Sequence, residues 1–152
     1  MNILYLSTNN VCRSILAESI TRKYAPSQIT AMSGGSNPSD DIHPVAYRVL
    51  KDRHYSSNDL VSKSWDLFAH RAPDIVITLC DRVLKKQCPS YVGKAVHVHW
   101  GLPDPVPQLG NMEENIIKVF KILDERIKNM FEIDLEQLDK EALRAHLKKV
   151  AQ

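Results

Sequence analysis

Four short apolar runs, Ile3 to Leu6, Ile29 to Met32, Asp74 to Cys80 and Ala95 to His99, alternate with stretches whose apolar residues recur at helical spacing. Runs of this length without a polar alternation read as strands buried on both faces. Strands separated by helices close into a parallel sheet through right-handed crossovers, with helices on both sides. The helical stretches carry Leu16, Ala17, Ile20 and Tyr24 before Pro26; Val45, Val49 and Leu50 after His43-Pro44; and Trp65, Leu67 and Phe68 in a short turn. Asn111 with Glu114 forms a capping signal ahead of the stripe Ile116, Phe120, Leu123, Ile127 and Met130. After Asp134, with Asp139 near its start, Leu143, Leu147 and Val150 predict a last helix. The expected fold is therefore α/β, a four-stranded parallel sheet flanked by helices. The 152 residues, 43% of them hydrophobic, suit one domain over 1–152 with a C-terminal helical extension from about residue 134.

With 20 basic and 18 acidic residues and a formal charge of +2, the chain lacks the broad basic surface that nucleic acid demands. Any anion site must be local. The opening Met1-Asn2-Ile3-Leu4-Tyr5-Leu6 has neither a basic start nor a cleavage signature, and no stretch reaches membrane-span length. A cytoplasmic protein without a membrane partner is expected, in which Cys12, Cys80 and Cys88 are thiols rather than a disulfide framework.

Three polar segments, after Leu6, after Leu79 and at His99, fall at the carboxyl ends of predicted strands, where open α/β sheets bind their ligands. The first, Ser7-Thr8-Asn9-Asn10-Val11-Cys12-Arg13-Ser14, joins a strand to a helix. Its backbone N–H groups, the helix N-terminus and Arg13 can converge on an anion, although a purely structural turn has the same composition. In the second, Cys80 and Cys88 lie eight residues apart on either side of a mostly polar stretch, and spacing alone leaves open whether they are a redox pair or unrelated thiols. The third, His99-Trp100-Gly101-Leu102-Pro103-Asp104-Pro105, places an aspartate that is either a turn residue or a general acid. His97 and His99 alternate on a strand, but no neighbour in sequence completes a metal set.

These segments together resemble the thioredoxin-coupled arsenate reductases, which share the fold of the low-molecular-weight tyrosine phosphatases. Ser7 to Arg13 is similar to the family's C-x5-R phosphate loop, with Asn10, Cys12, Arg13, Ser14, Ala17 and Glu18 matching. Thr78-Leu79-Cys80 with Cys88-Pro89 resembles the reductases' resolving pair, and the third segment their H-W-G-x-x-D-P loop. The resemblance implies an oxyanion site of Ser7, Thr8, Asn9, Asn10, Val11, Cys12, Arg13 and Ser14. It implies catalytic roles at residue 7, Arg13, Cys80, Cys88 and Asp104, with no cofactor and no metal. A thiolate at residue 7 would bond arsenate, Cys80 would attack that sulfur and release arsenite, and Cys88 would then attack Cys80. Thioredoxin would reduce the resulting disulfide.

Two loop positions depart from the pattern: Asn9 stands where glycine is frequent, and Ser7 stands where the nucleophilic cysteine belongs. A serine hydroxyl keeps its proton unless a base removes it, so the chain as written is read as an arsenate reductase inactivated by a Cys-to-Ser replacement. The alternatives are a tyrosine phosphatase and an oxyanion-binding pseudoenzyme. Cys12 is read as a small residue packed beneath the anion rather than a substitute nucleophile. Lys85 and Lys86 are read as a solvated turn. Some relatives hold potassium beside the loop, an arrangement that Asn10, Ser14 and Glu18 match and from which Lys63 and Ser64 depart. Pro105-Val106-Pro107, following Asp104, lacks the aromatic residues that frame a phosphotyrosine ring.

Overall fold

A computed structural model describes residues 1–106 and 110–152; Pro107 of the expected acid loop lies outside them. The strands β1 (Asn2–Ser7), β2 (Thr30–Gly35), β3 (Ile75–Thr78) and β4 (Val96–His99) form one sheet in the order β2-β1-β3-β4. All pairs are parallel, with Leu4 opposite Met32 on one side and Val76 on the other. The sheet is of the expected class. Successive residues of β1 face opposite ways, and two cores result. Ile3 and Tyr5 join Leu16, Ile20, Val49, Phe120 and Leu123 on one face, whereas Leu4 and Leu6 join Trp65, Phe68, Val83 and Tyr91 on the other.

The first face is covered by α1 (Arg13–Tyr24), α2 (Pro44–Asp52), α5 (Met112–Met130) and α6 (Lys140–Lys149). The Asn111 side chain accepts from Glu114 N at 3.2 Å and Asp139 from Ala142 N at 2.8 Å, so both predicted starts are side-chain caps. The C-terminal segment belongs to the same core: Leu135, Leu143 and Leu147 are buried, and Trp100 Nε1 donates to Leu147 O at 2.9 Å. The second face is covered by a 3₁₀ turn (Trp65–Phe68) and by two short helices, α3 (Asp81–Leu84) and α4 (Ser90–Lys94). Neither short helix was foreseen; at four and five residues they are too brief to show a helical period. Among the described residues, no helix is long and apolar enough to cross a membrane.

The chain leaves β1 toward β2 on one side and reaches β3 on the other, so a crevice opens beyond the carboxyl ends of β1 and β3. Ser7 ends the first of these strands and Cys80 follows the second.

Candidate functional site

The loop between β1 and α1 takes its shape from Asn10. This residue is fully buried at φ +51°, a left-handed conformation that asparagine tolerates better than most. Its side chain spends its hydrogen-bonding capacity on the surroundings. Nδ2 donates to Ser14 Oγ at 2.8 Å and to Ser33 Oγ at 3.0 Å, while Oδ1 accepts from Lys63 N at 2.9 Å. Gly35 lies so close beneath that a Cβ there would meet Thr8 O at 2.6 Å. The loop carbonyls turn outward: Thr8 O accepts from Asn37 N, Asn9 O from Ser62 Oγ and Ser39 N, and Val11 O from His43 N. The N–H groups of Thr8, Asn9, Val11 and Cys12 have no protein acceptor among the described residues. Carbonyls engaged by the surroundings, beside amides left without a protein acceptor among the described residues, are the polarity an oxyanion requires.

The loop opens on a cavity of about 310 Å³ that brings together Ser7, Asn10, Cys12, Arg13 and Asp104, all anticipated, with His43 and Arg82, which were not. The sequence marks His43 only as a helix opener, and it does cap α2, Nδ1 accepting from Val45 N at 3.2 Å. Arg82 lay in the undivided polar stretch between the cysteines, and only its place on α3 brings it to the cavity. Arg13 is anchored by donating from Nη1 to Leu102 O at 2.9 Å, and its Nη2 lies 3.6 Å from Asp104 Oδ2. Asp104 also accepts from Val106 N at 3.1 Å, so it is both a turn former and the carboxylate facing the guanidinium. A larger groove of about 480 Å³ lies at the opposite end of the strands, lined by Met1, Asp74, Tyr91 and Leu143 among others.

Ser7, only 3% exposed, shares a 2.7 Å hydrogen bond with the Ser14 hydroxyl and accepts from Asn10 N at 3.2 Å. Neither partner is a base. Cys12 is buried in the core, and burial pushes its thiol up to about 12; Arg13 acts in the opposite sense and Asp104 adds to the rise. At neutral pH it is therefore a protonated thiol. Iodoacetamide at pH 8 is expected to leave Cys12 unlabelled in the native chain and to label it once the chain is denatured. Native labelling as fast as in the denatured chain would contradict this reading.

Cys80 is buried between β3 and α3, with Sγ 3.2 Å from Thr8 Oγ1, so it touches the anion loop itself. Cys88 is half-buried, its Sγ 3.8 Å from Val83 O, and burial raises its thiol. Both are free. Lys85 and Lys86 are exposed, as a solvated turn requires.

Behind the loop Glu18, 1% exposed, accepts from Ser33 Oγ at Oε1 (2.8 Å) and from Arg22 Nη2 at Oε2 (2.8 Å), with Lys63 Nζ 3.5 Å from the same Oε1. Two cations already face this one carboxylate, and Asn10 and Ser33 are committed to each other. The set does not fit an added potassium ion. His97 Nε2 and His99 Nδ1 both meet the Thr78 hydroxyl, at 3.1 and 2.8 Å, and His99 Nε2 lies 2.8 Å from Asp81 Oδ1. The carboxylate that sequence spacing did not reveal is thus supplied by α3. No group of three metal-ligating residues occurs among the described residues.

Residues 2–144 match the model of the low molecular weight phosphotyrosine protein phosphatase family. An arsenate reductase of Halalkalibacterium halodurans is 30% identical over 133 residues, covering 86% of this chain and 94% of that one. A Bacillus cereus protein, arsenate reductase 1, is 31% identical over 106 residues, covering 70% of this chain and 78% of its own. Among solved structures, the thioredoxin-dependent arsenate reductase of Corynebacterium glutamicum is 28% identical with a TM-score of 0.63, over 82% of this chain and 58% of the longer one.

Proposed function

The chain belongs to the low molecular weight phosphotyrosine protein phosphatase family, and from that premise we propose that it is an arsenate reductase by descent that holds oxyanions in the Ser7–Ser14 loop and, with serine at residue 7, does not complete the first chemical step. The observation that carries the reading is the contact between the two halves of the site. Cys80, the residue a relay needs next, sits with its sulfur 3.2 Å from Thr8 of the anion loop. A phosphatase has no use for that thiol or for Cys88.

In the complete relay a residue-7 thiolate displaces water from arsenate to form a sulfur–arsenic bond. Cys80 thiolate then attacks the residue-7 sulfur, the bonding pair stays on arsenic, and arsenite leaves as As(III). Cys88 next displaces the residue-7 thiolate, giving a Cys80–Cys88 disulfide that a thioredoxin-type dithiol reduces. Arg13 holds two oxyanion oxygens through its fork, and Asp104 protonates a departing oxygen. Ser7 enters none of these steps, because its hydrogen-bond partners leave its proton in place. That same observation favours oxyanion binding without turnover for the chain as it stands. A cytoplasmic single domain, meeting a soluble dithiol partner, belongs to this reading.

Anion binding is tested by titrating the chain with phosphate or arsenate and following backbone amides by NMR. The amides of Thr8, Asn9, Val11 and Cys12 are expected to shift together and saturate at millimolar anion. Shifts spread over exposed lysines, with these four unmoved, would remove the anion site.

A further inference from the structure

His99, Asp81 and Gly101 meet at a point that the relay leaves unused. Asp81 opens α3 immediately after Cys80, and its carboxylate accepts from His99 Nε2 at 2.8 Å, reaching from α3 to the end of β4. His99 is held from behind, since its Nδ1 meets the buried Thr78 hydroxyl at 2.8 Å. With Nε2 donating to the carboxylate, the ring accepts from the Thr78 hydroxyl at Nδ1, so both of its nitrogens are engaged. The third member is a backbone. A methyl placed on Gly101 would come within 2.9 Å of His99 Nε2 and 3.2 Å of Asp81 Oδ1, so any larger residue there pushes the two side chains from their present contact.

We propose that His99 and Asp81, closing over Gly101, form a clasp that holds α3 wound and Cys80 aimed at the anion loop, and that this clasp sets how readily Cys80 and Cys88 join. The proposal rests on the assignment of Cys80 and Cys88 as a redox pair. In the dithiol form Cys80 Sγ faces Thr8 and Cys88 Sγ faces Val83 O. A disulfide demands sulfurs about 2.05 Å apart, so residues 81–88 must rearrange, and the first tie to part is the one at Asp81. Exposed ion pairs are weak, and Asp81 is 83% exposed. What sets this pair apart is the fixed ring: Thr78 already orders His99, so closing the clasp immobilises only one short side chain. His99 and Asp81 are positioning residues here and touch no reacting atom.

The full chain is equilibrated in mixtures of reduced and oxidised dithiothreitol, and the Cys80–Cys88 bond is quantified by peptide mapping. The two thiols give up two protons and two electrons as the S–S bond forms, and the cyclic disulfide of the reagent takes them to become a dithiol. Asp81→Ala, His99→Ala and Gly101→Ala are each expected to shift this equilibrium about fivefold toward the protein disulfide, or about 20 mV. His99→Gln, whose amide can still donate to Asp81, should recover most of the difference. Gly101→Ala is the telling variant, because it removes no charge and no hydrogen-bonding group. An equilibrium within twofold of the parent in both Asp81→Ala and Gly101→Ala overturns the clasp, as does failure of His99→Gln to recover. Should the parent form no Cys80–Cys88 disulfide, the redox assignment fails, and the clasp is then judged by hydrogen exchange at residues 82–86. Faster exchange in Asp81→Ala and Gly101→Ala supports it, and unchanged exchange ends it.

Discussion

Ser7→Cys is expected to give the chain arsenate turnover in the presence of thioredoxin, at least about 10³-fold above the parent, since removing a nucleophile from a working set costs that much or more. The surroundings for a thiolate are already assembled. The free amides of Thr8, Asn9, Val11 and Cys12 and the Arg13 guanidinium that suit an oxyanion equally suit a negative sulfur, and such settings lower a cysteine pKa from about 8.5 to about 3.5–7.5. Ser14 Oγ, 2.7 Å from the residue-7 hydroxyl, adds a donor. Adding Cys80→Ser should stop turnover after one arsenic is bound, and adding Cys88→Ser should stall the protein with a disulfide between residues 7 and 80. Phosphate-ester hydrolysis needs only residue 7, Arg13 and Asp104. Robust hydrolysis by Ser7→Cys without arsenate reduction, unaffected by Cys80→Ser, would transfer the protein to the phosphatases. Neither activity, with anion binding intact, would establish a binding protein whose catalytic history has ended.

Glu18→Ala is expected to be the most destabilising single change among the residues around the loop. It leaves the guanidinium of Arg22 and the ammonium of Lys63 facing each other without the carboxylate between them, and it takes an acceptor from Ser33. Burial already pushes the Lys63 pKa down, and Glu18 is the neighbour that opposes it. Removing one partner of a buried pair costs about 3–5 kcal/mol. Arg22 and Lys63 are partly exposed, so the lower end applies, and at about 3 kcal/mol the melting temperature of a chain this size falls by roughly 6–12 °C. Because Ser33 also holds Asn10, the loop amides should exchange faster in the variant. A loss below about 1 kcal/mol by chemical denaturation would show that the cations find water instead. Lys63→Met tests the same network from the other side and should cost less, since Arg22 still neutralises Glu18.

How far the sequence reached depended on the length of the signal. β1, the loop and α1 were legible because a buried run, a polar turn and a helical stripe follow one another with clear breaks, and the capping residues Asn111 and Asp139 act as their spacing suggests. Ser7, Arg13 and Asp104 were placed by motif and are gathered around one cavity. Arg82 and His43 were missed because what brings them to the cavity is tertiary: one rides a helix of four residues, the other caps a helix after a long excursion. The Asp81–His99 pair was invisible for the same reason, joining residues 18 apart that meet only when β3 and β4 are neighbours. Asn9, a departure from the resembled pattern, causes no break in the loop, since its carbonyl is held by Ser62 and Ser39.

Arg82 carries a consequence of its own. It contributes its charge to the anion cavity from the short helix that begins after Cys80. Whatever straightens that helix withdraws a cation from the cavity in the same motion. If Cys80 and Cys88 pair as proposed, grip on the anion and the state of the thiols become reciprocal quantities: an oxyanion held by Arg13 and Arg82 would resist oxidation by the same factor by which oxidation would weaken its binding.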